Sequence, residues 1–342
     1  MNDMRKSNNV SGLIALAVSL LTALAVNAAN SPYLHKVWEF VPAPGQFTNE
    51  LPKYEEGNTA EDMCRKVEEL IANNTRGMIS LGAWGGYVVF SFDHPVQNVP
   101  GEKDFIVEGN AFYTSAAAGS AGGGSSEPGI VMVSYDENGN GLPDDAWYEL
   151  AGAAYTHPET KHHYRVAYAR TTEHVNVPWT DNEGQTGVVE ANTFHKQNFF
   201  PMWIDTDSLV FEGARLPDNY EFKNNQYILY PYAYGYADNH PDTCRLAQLD
   251  IAWAVDAEGT PVHLNEVHFI KVYTALLQQC GILGETSTEI TGARDLHAEA
   301  EEGFGQVQSQ HPSRKIMRNG QIIIVRNNKV YNPLGTIIQT IY

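Results

Sequence analysis

Residues 130–150 read IVMVSYDENGNGLPDDAWYEL, and the fold turns on how they are read. Ile130 to Ser134 is a short run of apolar and β-branched residues, and Trp147 to Leu150 is a second. Between them, Asp136 to Asp145 is almost wholly Asp, Asn, Gly and Pro, the residues that build turns. The stretch therefore reads as two short strands and their connection. The same texture recurs along the chain in Tyr87 to Phe92, Phe105 to Val107, Tyr164 to Ala169, Leu209 to Phe211, Tyr227 to Tyr230, Leu249 to Val255 and Val267 to Tyr273.

Only one clear helix interrupts this series. Between Asn58 and Asn74, Met63, Val67, Leu70 and Ile71 recur at helical spacing, Asn58 or Thr59 can cap the start, and Glu61 and Asp62 sit in the first turn. Many short strands without crossover helices predict a mainly β fold, an antiparallel two-sheet sandwich of jelly-roll or galactose-binding-like form. Thr114 to Ser126 and Thr171 to Gln197 read as long loops, a kind often reserved for function.

The ends of the chain read differently. Arg5 and Lys6 precede an apolar run from Leu13 to Val26 that closes on small residues, so residues 1–28 read as a cleavable signal peptide. The run is shorter than the ~20 residues a membrane span needs, and no second long apolar stretch follows. The expected product is exported, to the cell surface, the extracellular space or the periplasm, with no transmembrane span after cleavage. Residues 29–297 read as the body and 298–313, acidic and Gln-rich, as a linker. Residues 314–342 read as a small β tail turning at Arg326-Asn327-Asn328.

Composition narrows the partners. The chain carries a net charge of −19, which becomes −20 once Asp3, Arg5 and Lys6 leave with the signal. Such a surface repels phosphate backbones and anionic headgroups, which argues against nucleic acid and favours oxygen-rich cation loops. Three cysteines, Cys64, Cys244 and Cys280, permit one disulfide at most; a Cys244–Cys280 bridge and buried free thiols both stay open.

Asp136 to Asp145 carries the sharpest chemical motif. Oxygen side chains stand at the first, third, fifth and ninth places (Asp136, Asn138, Asn140, Asp144), Gly141 is sixth, and Leu142 offers a carbonyl at the seventh. That is the ligand spacing of a Ca²⁺ loop, in which six to eight hard oxygens surround the ion on a sharply turned backbone. Trp147 occupies the twelfth place in lieu of the usual Glu, so a closing carboxylate must come from Asp145, Glu149 or elsewhere.

A second polar stretch, Tyr232, Tyr234, Tyr236, Asp238 and Asn239, places tyrosines at period two beside two oxygen side chains. In extended form it is either a covered sheet face, the more ordinary role of such tyrosines, or a ligand platform for a ring-shaped small molecule or glycan. Neither His-Glu-x-x-His nor Gly-x-Ser-x-Gly occurs. A glycoside hydrolase built from two of Glu108, Glu127, Glu149, Glu212 and Asp238 is the catalytic alternative, with Glu127 its best acid. A non-catalytic binding protein is the expectation, and a structural surface protein the third reading.

The run from Glu127-Pro128-Gly129-Ile130 through the Asp136 loop to Trp147-Tyr148-Glu149-Leu150 resembles uncharacterised cell-surface or secreted β-sandwich proteins of Gram-negative gut anaerobes. Gly109-Asn110-Ala111-Phe112, Arg215 to Asn219, Tyr232 to Asn239 and Asp250 to Asp256 extend the resemblance over roughly Met78 to His297. It implies a surface binding protein, in some members accompanying corrinoid uptake, hence a cobalamin-like ligand and an outer-membrane uptake system as partner. Ile322 to Arg326, Lys329 to Asn332 and Leu334-Gly335 resemble, in degenerate form, the C-terminal sorting domain of type IX secretion clients.

Overall fold

The computed structural model describes residues 30–114 and 123–298, together with four strands of the tail. Residues 1–29, which hold the expected signal peptide, residues 115–122 and the expected linker from residue 299 lie outside the described residues. The chain is mainly β, with one α-helix at Ala60–Ile71 and seven antiparallel sheets among the described residues.

A six-stranded sheet forms the centre, in the order Lys36–Val41, Tyr87–Ser91, Phe269–Thr274, Gly129–Ser134, Trp147–Leu150, Ala254–Val255. Alternation along these strands sorts their side chains to two faces. Val88, Phe90, Val131, Val133, Ile270 and Val272 share one core with Met63, Val67 and Ile71 of the helix and with Phe105 and Val107. Burying each such side chain stabilises the fold by about 1.5–3 kcal/mol. The helix starts where Thr59 and Asp62 form a reciprocal capping box, as the residues at its head require.

The opposite face of the central sheet meets an outer four-stranded sheet, Thr186–Val189, Val177–Asp181, Lys161–Ala169 and Ser208–Arg215. Tyr87 packs edge-on against Phe211, and Tyr273 Oη accepts the amide of Ala214 at 2.9 Å. Tyr168 Oη donates to the Trp84 carbonyl at 2.9 Å, and Trp84 Nε1 donates to the Ala214 carbonyl. Each of these buried aromatic tips thus has a partner, which removes the cost of burying it.

The structure corrects the sequence reading at several points. Thr171 to Gln197 is not a plain loop, because Val177 pairs with Val189 in a hairpin whose apolar positions join the core around Trp84 and Phe199. Leu249 to Val255 is broken by a 3₁₀ turn at Ile251–Trp253, which Asp250 caps by accepting the Ala252 amide. Lys36–Val41, on an edge of the central sheet, was masked in the sequence by Pro and Gly on its C-terminal side. All three cysteines are free thiols. In the tail, Arg326 pairs with Lys329 across the anticipated turn, and the four tail strands pair with one another.

Candidate functional site

Three carboxyl groups meet at the end of the central sheet where strand Gly129–Ser134 begins. Oxygens of Glu127, Asp238 and Glu289 all lie within 4.8 Å of one another. Their segments are far apart in sequence, and backbone bonds bring them together. Gly129 and Ala237 exchange two N–H···O bonds of 2.9 Å, and the Glu127 amide donates to the Asp238 carbonyl at 3.0 Å. Glu289 arrives on the short strand Glu289–Ile290, paired with Ile79–Ser80.

Asp238 is the knot of this arrangement. Its Oδ1 accepts the amides of Asn110 and Ala111, both at 2.8 Å, and its Oδ2 accepts the Glu289 amide at 3.0 Å. Its backbone is left-handed at φ 49°, a turn that Asp tolerates better than most residues. Gly109 must lack a side chain here, since a Cβ would stand 2.4 Å from Asp238 Oδ1. Glu289 Oε1 accepts Ser287 Oγ at 2.8 Å, and Ser287 Oγ lies 2.5 Å from Ser80 Oγ.

Burial pushes the Glu127 carboxyl up to about 7, partly offset by its hydrogen bond with Glu289. Burial, and then the neighbouring Glu127, hold Asp238 and Glu289 well above the usual carboxylate range. For Asp238 these effects outweigh its three backbone donors, because like charges a few ångströms apart in a dry site cannot all ionise. Glu285 joins the group: burial raises it to about 8, and only its Oε1 is bonded, to the Gln46 amide at 2.6 Å. Its Oε2 is buried without a hydrogen-bond partner.

A cavity of about 400 Å³ opens over the cluster. Glu127, Glu285 and Glu289 line it, and no Lys or Arg does among the described residues. Phe47, Phe194, Ile282 and Leu283 line it too, and the last three are 66 %, 71 % and 52 % exposed. Gln46 ties the surrounding segments together. Its Nε2 donates to the Leu283 carbonyl at 2.6 Å, its Oε1 accepts Asn192 Nδ2 at 2.9 Å, and its carbonyl accepts Gln197 Nε2. An apolar rim over convergent polar groups is the ordinary makeup of a small-molecule site.

A second cavity, of about 210 Å³, lies between the central and outer sheets. It brings Glu149 and Glu212 together with Tyr155, His162 and Asp256. Burial alone raises Glu149 to about 7. Glu108 stands apart from both cavities, 3.7 Å from Arg294.

The anticipated cation loop is exposed and folded on itself. Asp136 accepts the amides of Asn140 and Gly141, Asn138 Oδ1 accepts the Asn140 amide, and Asn140 Oδ1 accepts the Leu142 amide. Asp144 accepts the side-chain amides of Asn138 and Asn140. Gly139 and Gly141 are left-handed, at φ 69° and 73°. All five named residues thus gather in one turn.

The tyrosine stretch behaves differently. Residues 230–236 form no strand, so their period of two does not set one face. Tyr236 is buried and accepts the Ala154 amide, Tyr232 donates to the Pro217 carbonyl, and Tyr234 packs on Trp253. Tyr230-Pro231 and the left-handed Gly235 break the extended run, which corrects the expectation of one aromatic platform. Asn239, also buried, accepts Ser126 Oγ and the Tyr232 amide, and so anchors this turn. Only Asp238 of these five residues reaches the carboxyl cluster.

Glu285, Glu289 and Gln46 escaped the sequence reading. One signal was present: in Glu285-Thr286-Ser287-Thr288-Glu289 the acidic residues and Ser287 alternate, so an extended backbone turns all three one way. No protein-family model matches the chain, and no curated protein is detectably similar to it in sequence.

Proposed function

We propose that this chain is an exported, non-catalytic binding protein that captures a small nutrient ligand, a glycan or a cobalamin-like molecule, in the cavity over Glu127 and Glu289. The observation that carries this reading is the pairing of an apolar, solvent-facing rim (Phe194, Ile282, Leu283) with a buried, oxygen-rich floor. Exposed apolar groups at a cavity mouth cost solubility unless something covers them. The oxygen floor suits a ligand rich in hydroxyl or amide donors. Residues 29–297 form the binding body, with the central and outer sheets as the two layers of its sandwich, and Ca²⁺ steadies the Asp136–Asp144 loop. Residues 314–342 act as a sorting signal. Display at the cell surface beside an outer-membrane uptake system is the setting that this reading and the family resemblance share.

Calorimetric titration of the purified protein with a glycan panel and corrinoids tests it. Phe194→Ala and Ile282→Ala are expected to weaken the captured ligand at least tenfold, while Tyr234→Ala does not. Binding indifferent to both rim changes removes the site. One observation favours a second reading, a carbohydrate-active hydrolase: the Glu127 carboxyl, held near neutrality, has a second carboxyl beside it. Turnover of any glycan, lost in Glu127→Gln, would promote that reading over capture.

A further inference from the structure

We infer that Glu127, Asp238 and Glu289 hold a hard divalent cation of the Ca²⁺ or Mn²⁺ kind, at the floor of the cavity and separate from the Asp136 loop. Two oxygens bound to one such ion can stand no more than about 5 Å apart, twice a metal–oxygen distance of roughly 2.4 Å. The three carboxyl groups satisfy this, with every chosen oxygen within 4.8 Å of the others. Two of them are also held before any ion arrives, Asp238 by the backbone amides of Asn110, Ala111 and Glu289, and Glu289 by Ser287 Oγ.

An independent observation comes from Glu285. It is 3 % exposed and lines the same cavity, yet its Oε2 has no hydrogen-bond partner among the described residues. Leaving a buried carboxyl oxygen unpartnered costs on the order of 1–3 kcal/mol, more if it is charged. A water in the shell of a cation at the cluster would satisfy that atom. No Lys or Arg among the described residues of the lining supplies positive charge there.

The donor set selects the kind of ion. All three cluster carboxyls offer oxygen, which suits hard cations, whereas zinc and copper prefer nitrogen or sulfur. The cavity does hold Cys280 and His195, but the His195 ring packs on Phe47 at 4.7 Å, and burial raises the Cys280 thiol to about 11, so it stays protonated. Ligand positions that protein does not fill face the cavity. Resting on the capture reading above, the ligand's own hydroxyl or carbonyl oxygens would complete the coordination.

The test uses purified Asp136→Ala protein, so that the exposed loop contributes little, with Ca²⁺ by calorimetry and Mn²⁺ by electron paramagnetic resonance. The expected result is one ion per chain, bound at least tenfold more weakly after Glu127→Gln and after Glu285→Gln. Glu127 is only half-buried, and circular dichroism checks that its variant folds. Glu289→Gln, in a fully buried position, serves as confirmation where it folds. Failure to take up either ion, or uptake that Glu127→Gln leaves unchanged, overturns the inference. No organic ligand is present in this experiment, so its failure is distinct from failure of the capture reading.

Discussion

Two acidic regions of this molecule solve the same electrostatic problem in opposite ways. The Asp136–Asp144 loop is contiguous, exposed and satisfied by its own amides, so water and local N–H groups carry the cost of its charge. The Glu127–Asp238–Glu289 cluster is assembled from distant segments and largely buried, and its members hold on to protons because burial and one another's charge disfavour ionisation. Charge density alone therefore does not mark a functional region. Desolvation does, because it turns ordinary carboxyls into groups that take up a proton or a cation near neutral pH.

The largest effect expected from this contrast is at Asp238. Asp238→Ala leaves the buried amide of Glu289 and the part-buried amides of Asn110 and Ala111 without their acceptor. Each orphaned donor costs up to roughly 1–3 kcal/mol, and removing a desolvated carboxyl returns part of it, so a net loss of about 3 kcal/mol is expected in urea unfolding. Asp238→Asn keeps one acceptor oxygen for Asn110 and Ala111, and should cost less than half as much. Equal costs for the two variants would mean that the cluster is held by packing and not by the Asp238 bonds.

How legible was this in the sequence? The helix and the central strands were, because burial of one face imposes a period that composition records: Met63, Val67 and Ile71 in one case, Val131 and Val133 in the other. The hairpin at Val177–Asp181 was not, because Pro178 and the flanking Asn and Glu residues dilute its alternation. The loop at Asp136 was legible as a turn because all its bonds are local. The cluster was legible only in fragments. Glu127 and Asp238 stood out singly, but their meeting depends on the Gly129–Ala237 bridge, which spans more than a hundred residues and leaves no local trace. Glu289 lay in a polar run that reads like surface until its pairing with Ile79–Ser80 buries it.

If desolvation is what separates the two regions, a carboxyl outside the cluster whose proton affinity is raised by burial alone should show the effect by itself. Glu149 is that control, since burial is the one cause of its rise to about 7 from an ordinary 4.5. The folded chain then binds more protons than the unfolded chain between those values. Stability from Glu149 is accordingly full below about pH 4.3, where both states are protonated, and falls as pH rises through 7. Allowing for its partial exposure, the fall is about 2 kcal/mol between pH 5 and 8. Glu149→Gln should flatten that part of the stability–pH curve. A slope unchanged by this substitution would assign the pH dependence to the cluster alone.

The smallest effect is expected at the loop, where it tests the other half of the comparison. Asp136→Ala removes acceptors for the Asn140 and Gly141 amides, but both are at the surface, where water replaces them. Without added metal the loss should stay below about 1 kcal/mol, since surface changes away from tight packing rarely exceed that. With 10 mM Ca²⁺ the unmodified chain should gain about 1 kcal/mol more than the variant does, through a loop site of millimolar affinity, and any gain the two share belongs to the buried cluster. Differential scanning calorimetry with and without Ca²⁺ reads both numbers. A metal-free loss as large as that of Asp238→Ala would show that the loop, despite its exposure, organises the strands Gly129–Ser134 and Trp147–Leu150 on either side of it. In that case the distinction between a buried, assembled site and an exposed, self-contained one would no longer hold for this fold.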